Sequence, residues 1–503
     1  MKVYLLGAGP GDPELLTLKA QRIIASADVI VYDALANKEL LRIAKKDAEI
    51  IFVGKVAGNH ALPQPEINAL LIRKAEERKT VARLKGGDPY IFGRGGEEAE
   101  ALVQAGIPFE EVPGITSTIA APAYAGIPLT HRDLVSSVTI VTGHEKEDKA
   151  DSRLNWQALA QSGSTLVFVM GMRNLPFIAK NLIANGLSEK TPAALIYRGT
   201  TPMQRSLVAD LGTLPEKARE NGFTNPSVIV VGQVVALNDT LNWFEKKPLL
   251  GKSIVVTRAR EQASQLVTKL TELGAEVLEY PTIRIAPLSS YSELDSAIKD
   301  RARYTAVIFT SQNGVRFFWE RLRVLGLDAR AFGSLRVCAI GPMTAKALSD
   351  HGIHADLVPE RFVAESLVSA FLEHFGSNKG SILIPRAKEA RDVLPDGLRK
   401  AGFDVHVVPT YETLPDEGGR EDCLERLTND TLSCITFASS STVTNFLRTI
   451  PKELVKKSSV RLAAIGPITA KTLENEGLTA HITANPYTID ALIEAVTTAF
   501  RNV

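Results

Sequence analysis

The residues best equipped for chemistry lie between positions 83 and 98, RLKGGDPYIFGRGGEE. Five glycines stand there among two arginines, a lysine and an aspartate. Gly86 and Gly87 leave backbone N–H groups that no side chain covers. Asp88 adds a carboxylate, Pro89 fixes the exit, and Arg94 sits between Gly93 and Gly95. The apolar run TVARL before the loop reads as the end of a buried strand. The run from Glu97 to Leu102 reads as a helix with acids in its first turn, where the helix dipole favours them. Strand, glycine-rich charged loop and helix, in that order, mark a ligand site in α/β proteins.

Three further stretches carry reactive or closely approachable groups. GAGPGD at 7–12 invites a dinucleotide reading, but Asp12 takes the place of the last glycine and Pro10 interrupts the loop. A carboxylate there would repel a pyrophosphate, so the loop suits a ligand without a phosphate chain. Asp33 closes VIVYD and Lys55 follows IIFVG. At the ends of neighbouring parallel strands they could form an acid–base or carboxylate-steering pair, or be solvated strand ends. In residues 113–132, PGITSTIAAPAYAGIPLTHR, the small Gly114, Thr116, Ser117, Ala120 and Ala121 let backbone approach a ligand closely. His131 and Arg132 add polar or cationic groups at its far end.

The second half offers neither a nucleophile–base triad nor a metal set. His351 and His354 in DHGIHAD have no acid or cysteine cluster beside them and read as a turn. What recurs is hydroxyls and amides at helix starts: Thr310, Ser311 and Asn313, then Ser439, Ser440 and Ser441. Thr344 and Thr469 lie in matching IGPxTAK loops. Such helix starts bind carboxylates well, although N-capping is the commoner use of Ser and Thr there. Their duplication points to a polyanion held between lobes.

The elements that must position these groups follow from pattern. A chain of 503 residues is long enough for several domains. Strand-like and helix-like runs alternate throughout, which predicts an α/β class with largely parallel sheets. After 111–116, EVPGIT, the strand candidates are SSVTIVTGH, STLVFVM, AALIYRG and SVIVVG. Residues 238–253, NDTLNWFEKKPLLGKS, lack a clean period and read as the main domain boundary. Beyond it the chain repeats itself: SIVVTRAR from Ser253 answers SILIPRAK from Ser381. FTSQNGVRFF answers FASSSTVTNF, and RVCAIGPMTAKAL answers RLAAIGPITAKTL. Two copies of an α/β unit predict two similar lobes rather than a solenoid.

Composition excludes several classes. Fifty-eight basic against 57 acidic residues, a net charge of +1, argue against a nucleic-acid binder. The three cysteines, Cys338, Cys423 and Cys434, form no CxxC and predict buried thiols in a reducing compartment. No apolar run approaches a membrane span, and the N-terminus reads as a first strand, so a cytoplasmic location is expected.

GAGPGDPELLT, VYDAL, RLKGGDPYIFGRGGEE, PGITS and AGIPLTHR resemble the signatures of the uroporphyrinogen-III C-methyltransferase family over about residues 1–245. The resemblance implies two α/β subdomains, about 1–113 and 114–245. It also implies a homodimer through this half. The activity implied is methylation of uroporphyrinogen III at C-2 and C-7 by S-adenosylmethionine, giving precorrin-2 and S-adenosylhomocysteine without a metal. It places cofactor contacts on Pro10, Gly86, Gly87, Asp88, Ile91, Thr116, Ser117, Met170 and Gly199, and proton acceptor and donor on Asp33 and Lys55. Thr116–Ser117 stands where some relatives have Thr-Ala. Arg83, Lys85, Arg94, His131 and Arg132 are candidate partners for the substrate carboxylates.

FTSQNGVRFF, IGPMTAKAL, PTYET, FASSSTVTNF and IGPITAKTL resemble the uroporphyrinogen-III synthase family, over about 246–503. That resemblance implies closure of hydroxymethylbilane with inversion of ring D. Thr310, Ser311, Thr344, Ser439, Ser440 and Thr469 become substrate contacts. Tyr411 falls on the family's implicated tyrosine, either donating to the departing hydroxyl or packing between lobes. The family's lobes are not the repeats: one would combine about 250–284 with 414–503, the other would be about 285–413. Product of one half is then substrate of the other, on the way to sirohaem and cobalamin-type tetrapyrroles. Two alternatives stand beside this: a non-catalytic, two-lobed polyanion-binding second half, or a first half that methylates a later precorrin.

Overall fold

The first residues form a strand because KVYLLG can be buried on both faces of a sheet. The computed structural model describes residues 2–54, 62–143, 154–257, 260–333, 335–376, 380–416 and 418–501. Its contacts divide the chain into two units. One is Met1–Ser253 with Lys269–Glu276 and Thr497–Val503; the other is Ile254–Thr268 with Val277–Val496.

The first sheet holds β1 (Lys2–Gly7), β2 (Val29–Tyr32), β3 (Glu49–Phe52), β4 (Thr80–Lys85) and β5 (Phe109–Val112). Their order is β3-β2-β4-β1-β5, with every pair parallel. Helices α1 (Leu18–Ser26), α2 (Gln64–Glu76) and α3 (Gly95–Gln104) follow β1, β3 and β4. Leu6, Ile30, Ala82 and Leu84 form a core with Ala20 and Ile24 of α1. Val3, Leu5, Val31 and Val81 form another with Leu71 of α2 and Leu102 of α3. Side chains alternate across a strand, so Arg83 and Lys85 of central β4 share the face of Val81. Two cations therefore enter an apolar layer.

A second sheet contains β6 (Val138–Thr142), β7 (Thr165–Val169), β8 (Pro192–Tyr197), β9 (Arg205–Asp210) and β10 (Ser227–Val231), ordered β6-β7-β10-β8-β9. Here β6 and β7 are parallel and the other three pairs antiparallel. This sheet is the exception to the largely parallel pairing that the sequence predicts and that the other sheets show. β9 was not among the strand candidates: it is an edge strand with no fully buried residue, so its apolar signal is weak. Helix α4 (Ser117–Tyr124) places Ala121 in a core with Val167, Ile196 and Val230. The stretch from residue 238 is no loose linker. Trp243 and Phe244 pack their rings 5.0 and 4.8 Å from that of Tyr124, and Leu249 is fully buried.

From residue 253 onward the strands are β11 (Ser253–Val256), β12 (Glu276–Glu279), β13 (Ile283–Ala286), β14 (Tyr304–Phe309), β15 (Arg336–Ala339), β16 (Ser381–Ala387), β17 (Asp404–Pro415), β18 (Cys434–Phe437), β19 (Arg461–Ala464) and β20 (Ile482–Thr483). They form two sheets, β12-β11-β18-β19-β20 and β13-β17-β16-β14-β15. The sequence repeats are therefore not the sheets. β11 and β12 open the first copy but share a sheet with β18 and β19 of the second, β11 pairing with β18. β16 and β17 open the second copy and join β14 and β15 of the first. Strand β17 spans 12 residues; its start runs parallel to β16 and its end antiparallel to β13.

All three cysteines are buried, and burial pushes each thiol up to about 12. His351 stacks on Trp319, centroids 4.4 Å apart, and burial lowers its pKa. Among the described residues no helix is long and apolar enough to cross a membrane.

Candidate functional site

In a parallel sheet, ligands meet the carboxyl ends of the strands, and here three adjacent ends interlock. β4, β1 and β5 lie side by side, and each is followed by one of the glycine-bearing loops. Gly9 and Gly87 exchange backbone hydrogen bonds of 3.2 and 2.7 Å, joining GAGPGD to GGDP. Asp88 is buried and ties GGDP to the third loop. Its Oδ1 accepts from the N–H of Tyr90 (2.8 Å) and Ile91 (3.1 Å), and its Oδ2 from that of Gly114 (3.0 Å). A Cβ on Gly114 would stand 2.2 Å from the Gly87 oxygen, and one on Gly7 would stand 2.3 Å from Gly114 Cα. The three loops pack backbone to backbone, which only glycine permits.

This packing leaves a small cradle. A Cβ on Gly87 would meet only Thr116 Cα at 3.7 Å and Ser117 N at 3.9 Å. Gly87 and the start of α4 thus face each other across space a side chain would fill. Thr116 caps α4 by accepting from Thr118 N at 3.3 Å. The GAGPGD loop is also tied to the second subdomain: Asp12 N donates to Thr200 Oγ1 (3.1 Å), and Tyr124 Oη donates to Asp12 Oδ2 (2.8 Å). Gly199 lies against α4, where a Cβ would meet Ala121 Cβ at 2.3 Å. Met170, half exposed, follows β7 with φ 55°, and Thr200 has φ 70°. Left-handed backbone at non-glycine residues gathers at functional loops. Ile91 is exposed in the glycine loop, and Pro10 is partly exposed beside Gly11.

The charged candidates divide. Arg83 and Lys85 are almost wholly buried and converge on Glu98 Oε1, at 3.2 and 2.8 Å. This corrects their reading as free partners for substrate carboxylates: two cations on one face of a central strand take a helix carboxylate instead. Arg83 also reaches Asp33 Oδ2 at 3.3 Å. Lys55 lies outside the described residues. Arg94 is exposed and paired with Glu97, at 2.8 and 2.7 Å. His131 Nδ1 accepts from Asp133 N at 3.2 Å in a turn, and Arg132 is exposed.

In the second half, Ser311 caps the helix Gln312–Val324 by accepting from Gly314 N at 3.0 Å, and Ser439 caps Ser440–Thr449 in a capping box. Ser440 Oγ accepts from Thr472 at 2.8 Å. Thr344 and Thr469 are buried, 5% and 4% exposed, and so do not face an open cleft as substrate contacts. Thr310 is partly buried after β14. Tyr411, 7% exposed, stacks on Phe317 with centroids 5.6 Å apart, and its hydroxyl lies 3.1 Å from Ser311 Oγ. Both neighbours belong to the helix Gln312–Val324 or its cap, within one lobe, rather than to a second lobe.

Comparison with known proteins places this geometry. Residues 2–215 match the family described as tetrapyrrole (corrin/porphyrin) methylases, and residues 264–494 match that of uroporphyrinogen-III synthase HemD. Over 492 residues the chain is 40% identical to the porphyrin biosynthesis protein HemD of Ruminiclostridium josui, covering 98% of this chain and 97% of that protein. The chain belongs to this porphyrin-biosynthesis family. Its first half is 55% identical over 234 residues to a uroporphyrinogen-III C-methyltransferase of Priestia megaterium, covering 46% of this chain and 98% of that one. It is 52% identical over 244 residues to the siroheme synthase of Hahella chejuensis, covering 48% of this chain and 52% of that protein. A solved uroporphyrin-III C-methyl transferase of Thermus thermophilus, complexed with S-adenyl homocysteine, is 39% identical at a TM-score of 0.41, covering 47% of this chain and all of that one.

Within this tetrapyrrole methylase–HemD protein the structure gathers Pro10, Gly86, Gly87, Asp88, Thr116, Ser117 and Gly199 around interlocked loops. It leaves Met170 at the end of another sheet. The residue that the sequence does not single out is Glu98, which reads there only as one of the acids in a helix's first turn. The signal was present: cations two apart on a central strand need a buried counter-ion.

Proposed function

We propose that the chain performs two consecutive steps of tetrapyrrole synthesis. The second half cyclises hydroxymethylbilane to uroporphyrinogen III, and the first half methylates that product twice, giving precorrin-2. The observation that carries this reading is the match of both family models within one chain that aligns end to end with its relative. The loops fit S-adenosylmethionine. Gly87 leaves its backbone uncovered where it faces Thr116 and Ser117, and Asp12 is already engaged by Tyr124, an arrangement poor for a phosphate chain. When bound, the cofactor supplies an electrophilic methyl group that needs alignment more than activation. Gly86, Gly87, Thr116 and Ser117 hold it through backbone, and Ile91 gives apolar contact. Asp33 takes the proton that the macrocycle sheds, with Lys55 as the donor. Tyr411 anchors the start of Gln312–Val324 through Ser311.

The test is a coupled assay on the intact chain, from hydroxymethylbilane with labelled S-adenosylmethionine. A dimethylated type III product is expected. Type I product alone would remove the synthase assignment, and unmethylated type III product would remove the methyltransferase one.

Asp88 offers a sharper check on the cofactor loops. Asp88→Ala strips acceptors from three backbone N–H groups, at about 1.5–3 kcal/mol for each such bond to a charged group. Calorimetry with S-adenosylhomocysteine should show affinity lowered by about tenfold or more. An unchanged dissociation constant would mean the clamp does not shape the cofactor site.

A further inference from the structure

The first unit buries a charged cluster whose location stability alone does not explain. Glu98 is wholly inaccessible, and its Oε1 accepts from Arg83 Nε (3.2 Å), Lys85 Nζ (2.8 Å) and Gln64 Nε2 (3.2 Å). Its Oε2, also buried, has no hydrogen-bond partner. The Arg83 side chain is 3% exposed, and each guanidinium nitrogen has one assignment: Nε to Glu98, Nη1 to the Leu84 carbonyl at 3.1 Å, Nη2 to Asp33 at 3.3 Å. Of the four charged members, Asp33 is the one that reaches towards solvent, its side chain 26% exposed. Its other oxygen accepts from Leu35 N at 3.1 Å.

Burying such charges is costly, and an apolar cluster of similar volume is often as stable or more so. Burial and the neighbouring Arg83 push the Lys85 pKa down, the mark of that cost. What the cluster provides is direction. A planar guanidinium held on all its nitrogens cannot turn, and this one presents its remaining N–H edge to the carboxylate at the end of β2.

We propose that Glu98 is a positioning residue for methyl transfer, holding Arg83 so that its guanidinium fixes the Asp33 carboxylate at the strand end. The inference rests on the reading of Asp33 as proton acceptor. In each transfer a macrocycle carbon bonds to the methyl carbon, the C–S bond breaks with its electron pair left on sulfur, and the macrocycle releases a proton. Asp33 takes that proton, and its orientation sets the rate at which it does so. Lys85 is the second positive charge in the layer and pairs with Glu98 at 2.8 Å, while of the two cations Arg83 alone bonds Asp33.

Glu98→Gln tests this in the full chain, with turnover, the dissociation constant of S-adenosylhomocysteine and melting temperature all measured. A misaligned acid–base group costs about 100-fold, so kcat should fall by roughly 10- to 100-fold. The dissociation constant should stay within about twofold, since Glu98 does not meet the cradle. Because Glu98→Gln leaves an unpaired buried cation, the Glu98→Gln/Lys85→Met double variant is made as well. It restores the charge balance, so the melting temperature should recover while kcat stays low. Recovery of kcat together with melting temperature would assign the cluster to stability alone and overturn the proposal. In the residual activity of Asp33→Asn, adding Glu98→Gln should cost less than about threefold; a full additive loss would also overturn it. Asp33→Asn with normal turnover would remove the Asp33 reading and the inference with it. An unmodified chain that transfers no methyl would reject the methyltransferase function itself.

Discussion

Gly114→Ala is expected to abolish cofactor binding in the first half while leaving the second half active. The added Cβ would stand 2.2 Å from the Gly87 oxygen and 2.6 Å from Gly7 Cα, and both are backbone. No side chain can swing aside to relieve either contact. The β5 loop would have to retreat from β1 and β4, breaking the 3.0 Å bond from Gly114 N to Asp88. Overpacking of this kind costs about 1–3 kcal/mol, and here the strain falls on the loops that form the cradle. Calorimetry should find S-adenosylhomocysteine affinity reduced by about 100-fold or more. Gly96→Ala is the control, because a Cβ there meets nothing within 4 Å. That variant should bind as the unmodified chain does and melt no lower, since alanine is the better helix former. Normal binding by Gly114→Ala would mean the interlocked loops are not the cofactor site.

The parallel sheet and its loops were legible because each signal was local. GAGPGD, GGDP and PGIT each follow an apolar run, and a parallel strand of this kind must deliver its loop to the carboxyl edge. That the three edges are adjacent was not local. It depends on the order β3-β2-β4-β1-β5, which places β1 between β4 and β5. The charges misled for the same reason. Arg83 and Lys85 look like any cations beside a glycine loop. Their fate turns on the central position of β4 and on Glu98 lying on the inward side of α3. β9 escaped notice because half-exposed edge strands carry little apolar periodicity.

In the second half the repeat was plain in sequence, but its spatial meaning was not. Homologous strands occupy homologous places, yet each sheet draws its opening pair from one copy and the next pair from the other. Strand pairing follows the path of the chain through β12–β13 and along β17, where no motif marks the crossing. The hydroxyls stand at helix starts and divide in use. Ser311 and Ser439 cap their helices, while Thr344 and Thr469 turn inward.

Tyr411 separates packing from chemistry most clearly in the second half. Its ring is buried against Phe317 and its hydroxyl meets Ser311, which is already engaged in capping. Tyr411→Ala removes the ring and should cost about 3–5 kcal/mol, the usual loss for a buried aromatic. In a domain of this size that lowers the melting transition by about 10 °C, and synthase activity should be lost with it. Tyr411→Phe keeps the ring and gives up one hydrogen bond, worth about 1 kcal/mol. It should therefore melt within about 4 °C of the unmodified chain and retain type III product formation within roughly tenfold, the factor that about 1.4 kcal/mol represents. The measurement is the yield of type III isomer from hydroxymethylbilane, taken beside a calorimetric melt. A fall of about 100-fold in Tyr411→Phe with an unchanged melt would make the phenol a proton donor to the departing hydroxyl. A tenfold or smaller loss keeps it as the anchor that seats the helix Gln312–Val324 against β17.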